Sequence, residues 1–100
     1  MPESKSLSVI WTDRALQNAI SIRKYIESDF SEKEVESFYL LLNAFEEAVS
    51  VFPRLYPQTS KKKGIRRAVL SKVLSVFYRA SKNSIEVLAV MDNRCDISGW

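Results

Sequence analysis

The run Ile65–Asp96, IRRAVLSKVLSVFYRASKNSIEVLAVMDNRCD, decides the fold. Two stretches rich in β-branched and aromatic residues, Val73–Ala80 and Ile85–Asp92, flank Ser81-Lys82-Asn83-Ser84, a cluster of turn formers. A third such stretch, Ile65–Leu70, precedes them across Ser71-Lys72, a bend without the Asn-Gly or Asp-Gly chemistry that would set its register. Three strands with short connections predict an antiparallel meander. If Ala80 pairs with Ile85, then Tyr78 faces Val87, Val76 faces Ala89 and Leu74 faces Met91, a side fit for burial. The opposite side pairs Arg79 with Glu86, Phe77 with Leu88 and Ser75 with Val90. That side is more apolar than a solvent face requires, and such patches mark binding surfaces.

What precedes the meander reads as its cover. Leu7–Trp11 has the character of a short strand, and Thr12 is placed to cap a helix over residues 13–28. Leu16, Ala19, Ile20, Arg23 and Ile26 fall at helical spacing there. Ser31-Glu32-Lys33-Glu34 has the pattern of a capping box, with Phe30 and Val35 placed as a hydrophobic staple. Val35, Phe38, Leu42, Phe45, Val49 and Phe52 then form an apolar stripe that Pro53 ends. So short a connection forces the two helices into an antiparallel hairpin. The expected fold is α+β, in the order β-α-α-β-β-β, with the helix hairpin packed on an antiparallel sheet and residues 1–100 forming one domain. Residues 53–64 contain two prolines, a glycine and Lys61-Lys62-Lys63, and are expected to form an irregular loop.

Charge and composition narrow the function. Residues 1–60 carry six Lys/Arg against nine Asp/Glu, whereas residues 61–100 carry nine against three. The basic half suits a polyanionic partner, nucleic acid or an acidic protein, although a solvated basic surface explains it equally. With no histidine in the chain, the commonest general base and the usual zinc ligand are missing. No cofactor or metal is expected. The single cysteine, Cys95, cannot form an intramolecular disulfide, and no apolar run reaches the roughly 20 residues of a membrane span. A cytoplasmic location is the expectation.

The succession of motifs resembles the RelE/ParE superfamily of bacterial toxins, closer to its ParE-like branch. Trp11-Thr12-Asp13-Arg14-Ala15 resembles the family's opening strand and its turn into the first helix, and Arg23-Lys24-Tyr25-Ile26 resembles that helix. Phe52-Pro53 resembles the close of the second helix. Val76-Phe77-Tyr78-Arg79 with Ile85-Glu86-Val87-Leu88 resembles the central hairpin. Asp92-Asn93-Arg94-Cys95-Asp96-Ile97 is similar to the family's aspartate–x–arginine–x–x–proline ending, with Ile97 and Ser98 where proline is common.

Membership implies the toxin half of a toxin–antitoxin module, of the kind that stabilises plasmids, forming a hetero-oligomer with a small antitoxin. A strand or helix of that antitoxin would lie on the outer face around Phe77, Arg79, Leu88 and Val90. ParE-like members poison DNA gyrase and need no catalytic set. The alternative is a ribosome-dependent mRNA endonuclease, for which Arg66, Arg67 and Arg94 match basic positions that hold the phosphate. Two departures weigh against it. Ser75 stands near the place of the middle strand's basic residue, and the C-terminal tyrosine or histidine is replaced by Trp100, whose indole cannot exchange a proton near neutral pH. Either target would meet Lys61, Lys62, Lys63, Arg66, Arg67, Arg79, Arg94 and Trp100. A third reading is a nucleic-acid-binding module without toxicity. Against every functional role stands a plainer one: Arg79 paired with Glu86, and Arg94 bracing the chain end through Asp92 or Asp96.

Overall fold

A computed structural model describes residues 6–60 and 62–95. Its elements run β1 (Ser8–Trp11), α1 (Asp13–Asp29), α2 (Glu32–Val51), β2 (Arg66–Val69), β3 (Leu74–Ala80) and β4 (Ser84–Asp92). The expected α+β order is therefore observed. The sheet is ordered β1-β4-β3-β2, with β2, β3 and β4 antiparallel. Its first strand departs from the expected pattern, because β1 joins the far edge parallel to β4.

Local chemistry explains the helix ends. Thr12 caps α1, its Oγ accepting from the Ala15 N–H at 3.1 Å. Ser31 holds the N-cap position of α2 but makes no side-chain cap bond. The expected capping box is not closed, because Glu34 turns instead toward Arg94, 3.7 Å away. Proline at position 53 stops α2 at Val51, leaving Phe52 as its C-cap.

One face of the sheet lies under the helices. Phe38, Leu42, Phe45 and Val49 of α2 pack there with Leu74, Val76, Tyr78, Ile85, Val87 and Val90. On α1 the buried stripe is Ala15, Ile22 and Ile26, whereas Leu16 and Ile20 of the helical pattern are 46% and 43% exposed. Two apolar stripes compete on this helix. The one begun by Ala15 wins because a small side chain lets the helix approach the sheet, and because Asn18 beside it accepts from the Val90 N–H at 3.1 Å. Phe52, expected to close the α2 stripe, is 64% exposed.

The strand pairing corrects the sequence reading at one point with wide effect. Ala80, Arg79 and Tyr78 pair with Ile85, Glu86 and Val87 as expected, but Phe77 pairs with Ala89, leaving Leu88 as an extra residue in a β-bulge. Beyond a bulge every side chain changes face. Val90 therefore points into the helix-side core and is fully buried, whereas Met91, expected beneath the helices, packs on the outer face beside Phe77, Ala89 and Ile65. The bulge falls where β1 ends opposite Val87. From there α1 serves β4 in place of a strand, with Thr12 Oγ donating to the Leu88 carbonyl at 3.4 Å and Asn18 taking the Val90 N–H.

Residues 57–59, within the stretch expected to be irregular, form a ribbon along the β2 edge. Arg67 N–H donates to the Pro57 carbonyl at 3.0 Å, Thr59 N–H to the Ile65 carbonyl at 2.7 Å, and Gln58 bridges to Arg66. Pro57 sits where only a carbonyl is needed, and Gly64 supplies the positive φ of 81° that the return requires. The ribbon covers an edge that would otherwise invite another strand.

Tyr78, Phe45 and Tyr56 meet in the core with ring centroids 5.4–6.4 Å apart, and the Tyr78 hydroxyl donates to the Pro53 carbonyl at 2.9 Å. Burial raises the Tyr78 pKa above the ordinary 10.0, against the lowering effects of hydrogen bonding from the Tyr56 backbone and of Arg66. A phenol with a raised folded-state pKa contributes stability that is complete below its unfolded value and lost as pH climbs through the folded one. Unfolding free energy followed by urea titration should therefore fall once pH exceeds about 10, and Tyr78→Phe should flatten that alkaline limb. The same substitution should lower stability near neutrality by about 1 kcal/mol. The bulge is tested by a neighbouring pair. Val90→Asp should abolish cooperative folding, whereas Met91→Lys should change stability by no more than about 1 kcal/mol in the same titration.

Candidate functional site

The outer face of the sheet is basic and partly apolar. Arg67 crosses it from β2, its guanidinium 5.8 Å from the Phe77 ring centroid and within 3.5 Å of Ser75 Oγ. Arg79 pairs with Glu86 at 3.5 Å, and the two side chains are 50% and 44% exposed. So exposed a pair contributes at most about 1 kcal/mol and leaves both groups open to exchange partners. Phe77 lies on this side as expected but is only 7% exposed, packed with Ile65 and Ala89. Leu88 and Met91 border them, half-buried. Val90, counted with this patch in the sequence, lies on the opposite side at 0% exposure, because of the bulge. Between the sheet and residues 57–60 runs a groove of about 550 Å³, floored by Phe77 and Met91 and flanked by Arg67 and Val69. Lys62 and Lys63 are exposed beside the ribbon's turn, and Lys61 lies outside the described residues.

The arginines predicted to hold a phosphate do not converge. Arg66 and Arg67 are consecutive on β2, so their side chains leave opposite sides of the sheet. Arg66 Nη1 donates to the Tyr56 carbonyl at 2.7 Å. Ser75 occupies the middle strand and is buried. Arg94 stands past the end of β4, its Nε and Nη2 gripping the Asp92 carboxylate at 3.0 and 2.8 Å. The same carboxylate accepts the Arg94 backbone N–H at 2.8 Å. Glu34 lies 3.7 Å from Nη1, and the Phe30 ring lies under the guanidinium at 4.8 Å. Hydrogen bonding to Asp92 is the main cause of a raised Arg94 pKa. The Asp92 side chain is 1% exposed. Arg94 thus neutralises a buried carboxylate and ties the end of β4 to the start of α2. Asp96 and Trp100 lie outside the described residues.

A further surface escapes the sequence reading. Trp11, Leu16, Ala19, Ile20, Tyr39 and Leu42 line an apolar groove of about 340 Å³ between α1 and α2, with Arg23, Asn43 and Glu46 at its margin. Both polar ends are occupied: Trp11 Nε1 donates to Glu46, and Arg23 bonds Glu27 at 3.2 Å. Leu16 and Ile20 lie a turn apart on α1. The second apolar stripe that they add to α1 was the available signal.

Among the described residues no cluster of His, Cys, Asp and Glu could hold a metal ion, and no helix is long and apolar enough to cross a membrane. The Arg94 corner yields a stability test. Arg94→Ala should cost about 3 kcal/mol in urea denaturation, because it strands a buried charge. Arg94→Lys should recover only part of this, since an ammonium cannot repeat the two-pronged contact.

Comparison with known proteins agrees with this fold. Among solved structures, the chain is similar to the chromosomal ParDE toxin–antitoxin system from P. aeruginosa, with 20% identity and a TM-score of 0.71 over 89% of this chain and 98% of that one. It is also similar to the YoeB dimer from Staphylococcus aureus, with 14% identity and a TM-score of 0.59 over 86% and 95% of the two chains. The E. coli DinJ–YafQ complex matches with 12% identity and a TM-score of 0.51, over 88% and 94%. At such identities these likenesses establish the fold alone. No match is found among curated protein sequences. The family profile described as the ParE toxin of the type II toxin–antitoxin system parDE matches residues 9–97, nearly the whole described chain. The chain belongs to the ParE toxin family of type II toxin–antitoxin systems.

Proposed function

We propose that this toxin arrests growth in the cytoplasm by binding a replication protein such as DNA gyrase, and that it does not cut mRNA. The observation that carries this reading is the commitment of Arg94 to Asp92. In-line phosphoryl chemistry needs cations converging on one phosphate, with a group to move a proton. Here Arg66 bonds a backbone carbonyl, Arg67 lies on the other face, and Arg94 is spent on a buried carboxylate. Ser75 supplies no charge between them. Family membership supports the same direction. The exposed charges Arg67, Arg79, Lys62 and Lys63 suit electrostatic steering toward an acidic target, and steering needs no catalytic geometry.

A cognate antitoxin is the second partner. The outer patch is less apolar than its sequence suggested, because Phe77 is covered and Val90 is internal. The interhelix groove is the better seat for an amphipathic helix, since Leu16, Ile20 and Tyr39 are each more than two-fifths exposed around an open apolar floor. Arg79 and Leu88 remain available to a following segment of the same partner.

Two measurements test the proposal. Induction of the chain should bring DNA damage signalling and inhibit supercoiling by purified gyrase while mRNA stays intact. Rapid transcript cleavage at the ribosome would instead establish the nuclease reading, and unimpaired growth the harmless nucleic-acid-binding one. Ile20→Glu should leave growth arrest unchanged but weaken neutralisation by the antitoxin at least tenfold in titrated co-expression. Full neutralisation of that variant would remove the groove from the antitoxin interface.

A further inference from the structure

The end of α2 carries an exposed apolar patch. Val51, Phe52 and Leu55 are 51%, 64% and 52% exposed, although they fall within five residues of one another. Single exposed apolar side chains are ordinary, but three grouped on one turn are not. The turn itself is well anchored. Phe52 N–H closes α2 on the Ala48 carbonyl at 2.8 Å, and Leu55 N–H returns to the Phe52 carbonyl at 3.1 Å. Pro53 restricts the backbone between them. From below, the Tyr78 hydroxyl bonds the Pro53 carbonyl, and Arg66 bonds the carbonyl of Tyr56, which packs on Phe45 and Tyr78. The segment is thus fixed by buried groups while its large side chains face outward. Pre-organised aromatic and aliphatic anchors of this kind make binding hot spots, because little ordering entropy remains to be lost.

Charge indicates what would cover it. A hollow of about 480 Å³ beside the turn is lined by Leu7, Ser50, Pro53, Arg54, Ser81 and Lys82, among others, and among the described residues no carboxylate lines it. Arg54 is the single cation between Lys33 and Lys61 in a stretch otherwise acidic. Exposed apolar anchors flanked by two exposed cations complement an apolar pocket rimmed by carboxylates.

We infer that the Val51–Leu55 turn is the toxin's contact with its protein target, inserting Phe52 and Leu55 into an apolar pocket whose acidic rim meets Arg54 and Lys82. This deepens the proposal of a protein-binding toxin and rests on it. The contact is separate from the interhelix groove, so the antitoxin and the target would use different residues.

The test compares wild type, the double variant Phe52→Ser with Leu55→Ser, and Arg54→Glu, with melting temperature as the check on folding. Arg54 is exposed and not part of the core, so its variant keeps the assay informative if the double variant unfolds. With purified bacterial DNA gyrase as the probe, each variant should require at least tenfold more toxin to inhibit supercoiling. Inhibition at the wild-type concentration by a folded variant would overturn the inference. Should wild type leave gyrase untouched, the gyrase assignment falls and growth arrest on induction becomes the readout. Loss of arrest in folded Arg54→Glu would then support the contact with a different target, and undiminished arrest would overturn it. Variants that arrest growth fully but escape the antitoxin would assign the turn to that partner and also overturn the inference.

Discussion

Between Val87 and Ala89 the last strand holds one residue more than its neighbour, and much of the molecule follows from that insertion. Without Leu88 as an extra residue, Val90 would face water and Met91 the helices. With it, Val90 enters the core, and Asp92 arrives at the end of β4 on the buried side. A carboxylate at that depth is costly unless a cation reaches it. Arg94, two residues later, turns back and does so with two hydrogen bonds. The position that resembled a phosphate-holding arginine thereby becomes a brace. The proposed function turns on this point: one bulge turns Asp92 inward, and Asp92 engages Arg94.

The bulge is itself supported from α1. Thr12 both caps its helix and donates to the Leu88 carbonyl, and Asn18 takes the Val90 N–H that no strand covers. These contacts orient α1 so that Ala15, Ile22 and Ile26 face the sheet. Leu16 and Ile20 then open toward α2 as a groove. The groove between the helices and the irregular end of β4 are therefore consequences of one packing solution. At the other end of the sheet, Tyr78 plays the equivalent part for the Pro53 turn.

The element order, the helix starts at Thr12 and Ser31, and the stop at Pro53 were all legible in the sequence, because each depends on chemistry within a few residues. The pairing near the Ser81–Ser84 turn was legible for the same reason. Past Val87 the sequence reads Leu88-Ala89-Val90-Met91, apolar at every position, so alternation carries no information about which side is which. The parallel pairing of β1 and the ribbon at residues 57–59 rest on contacts between distant or irregular segments and leave no periodic trace. The candidate site was read with the same limits. Arg79 opposite Glu86 was visible, and so was the possibility that Arg94 braces Asp92. The interhelix groove was not, because Leu16 and Ile20 have the same hydrophobicity whether they fill a core or await a partner.

The central claim is that Arg94 serves structure and that toxicity needs none of its chemistry. Removing both charges together separates the two roles. In the pair Asp92→Asn with Arg94→Met, no buried charge is stranded, and the asparagine oxygen can still accept the backbone N–H at position 94. Growth arrest on induction of this double variant, with its fold verified by circular dichroism, is the decisive measurement. Arrest as strong as wild type is the predicted result. Loss of arrest in a folded double variant would mean that Arg94 acts on the target directly, and would contradict the account.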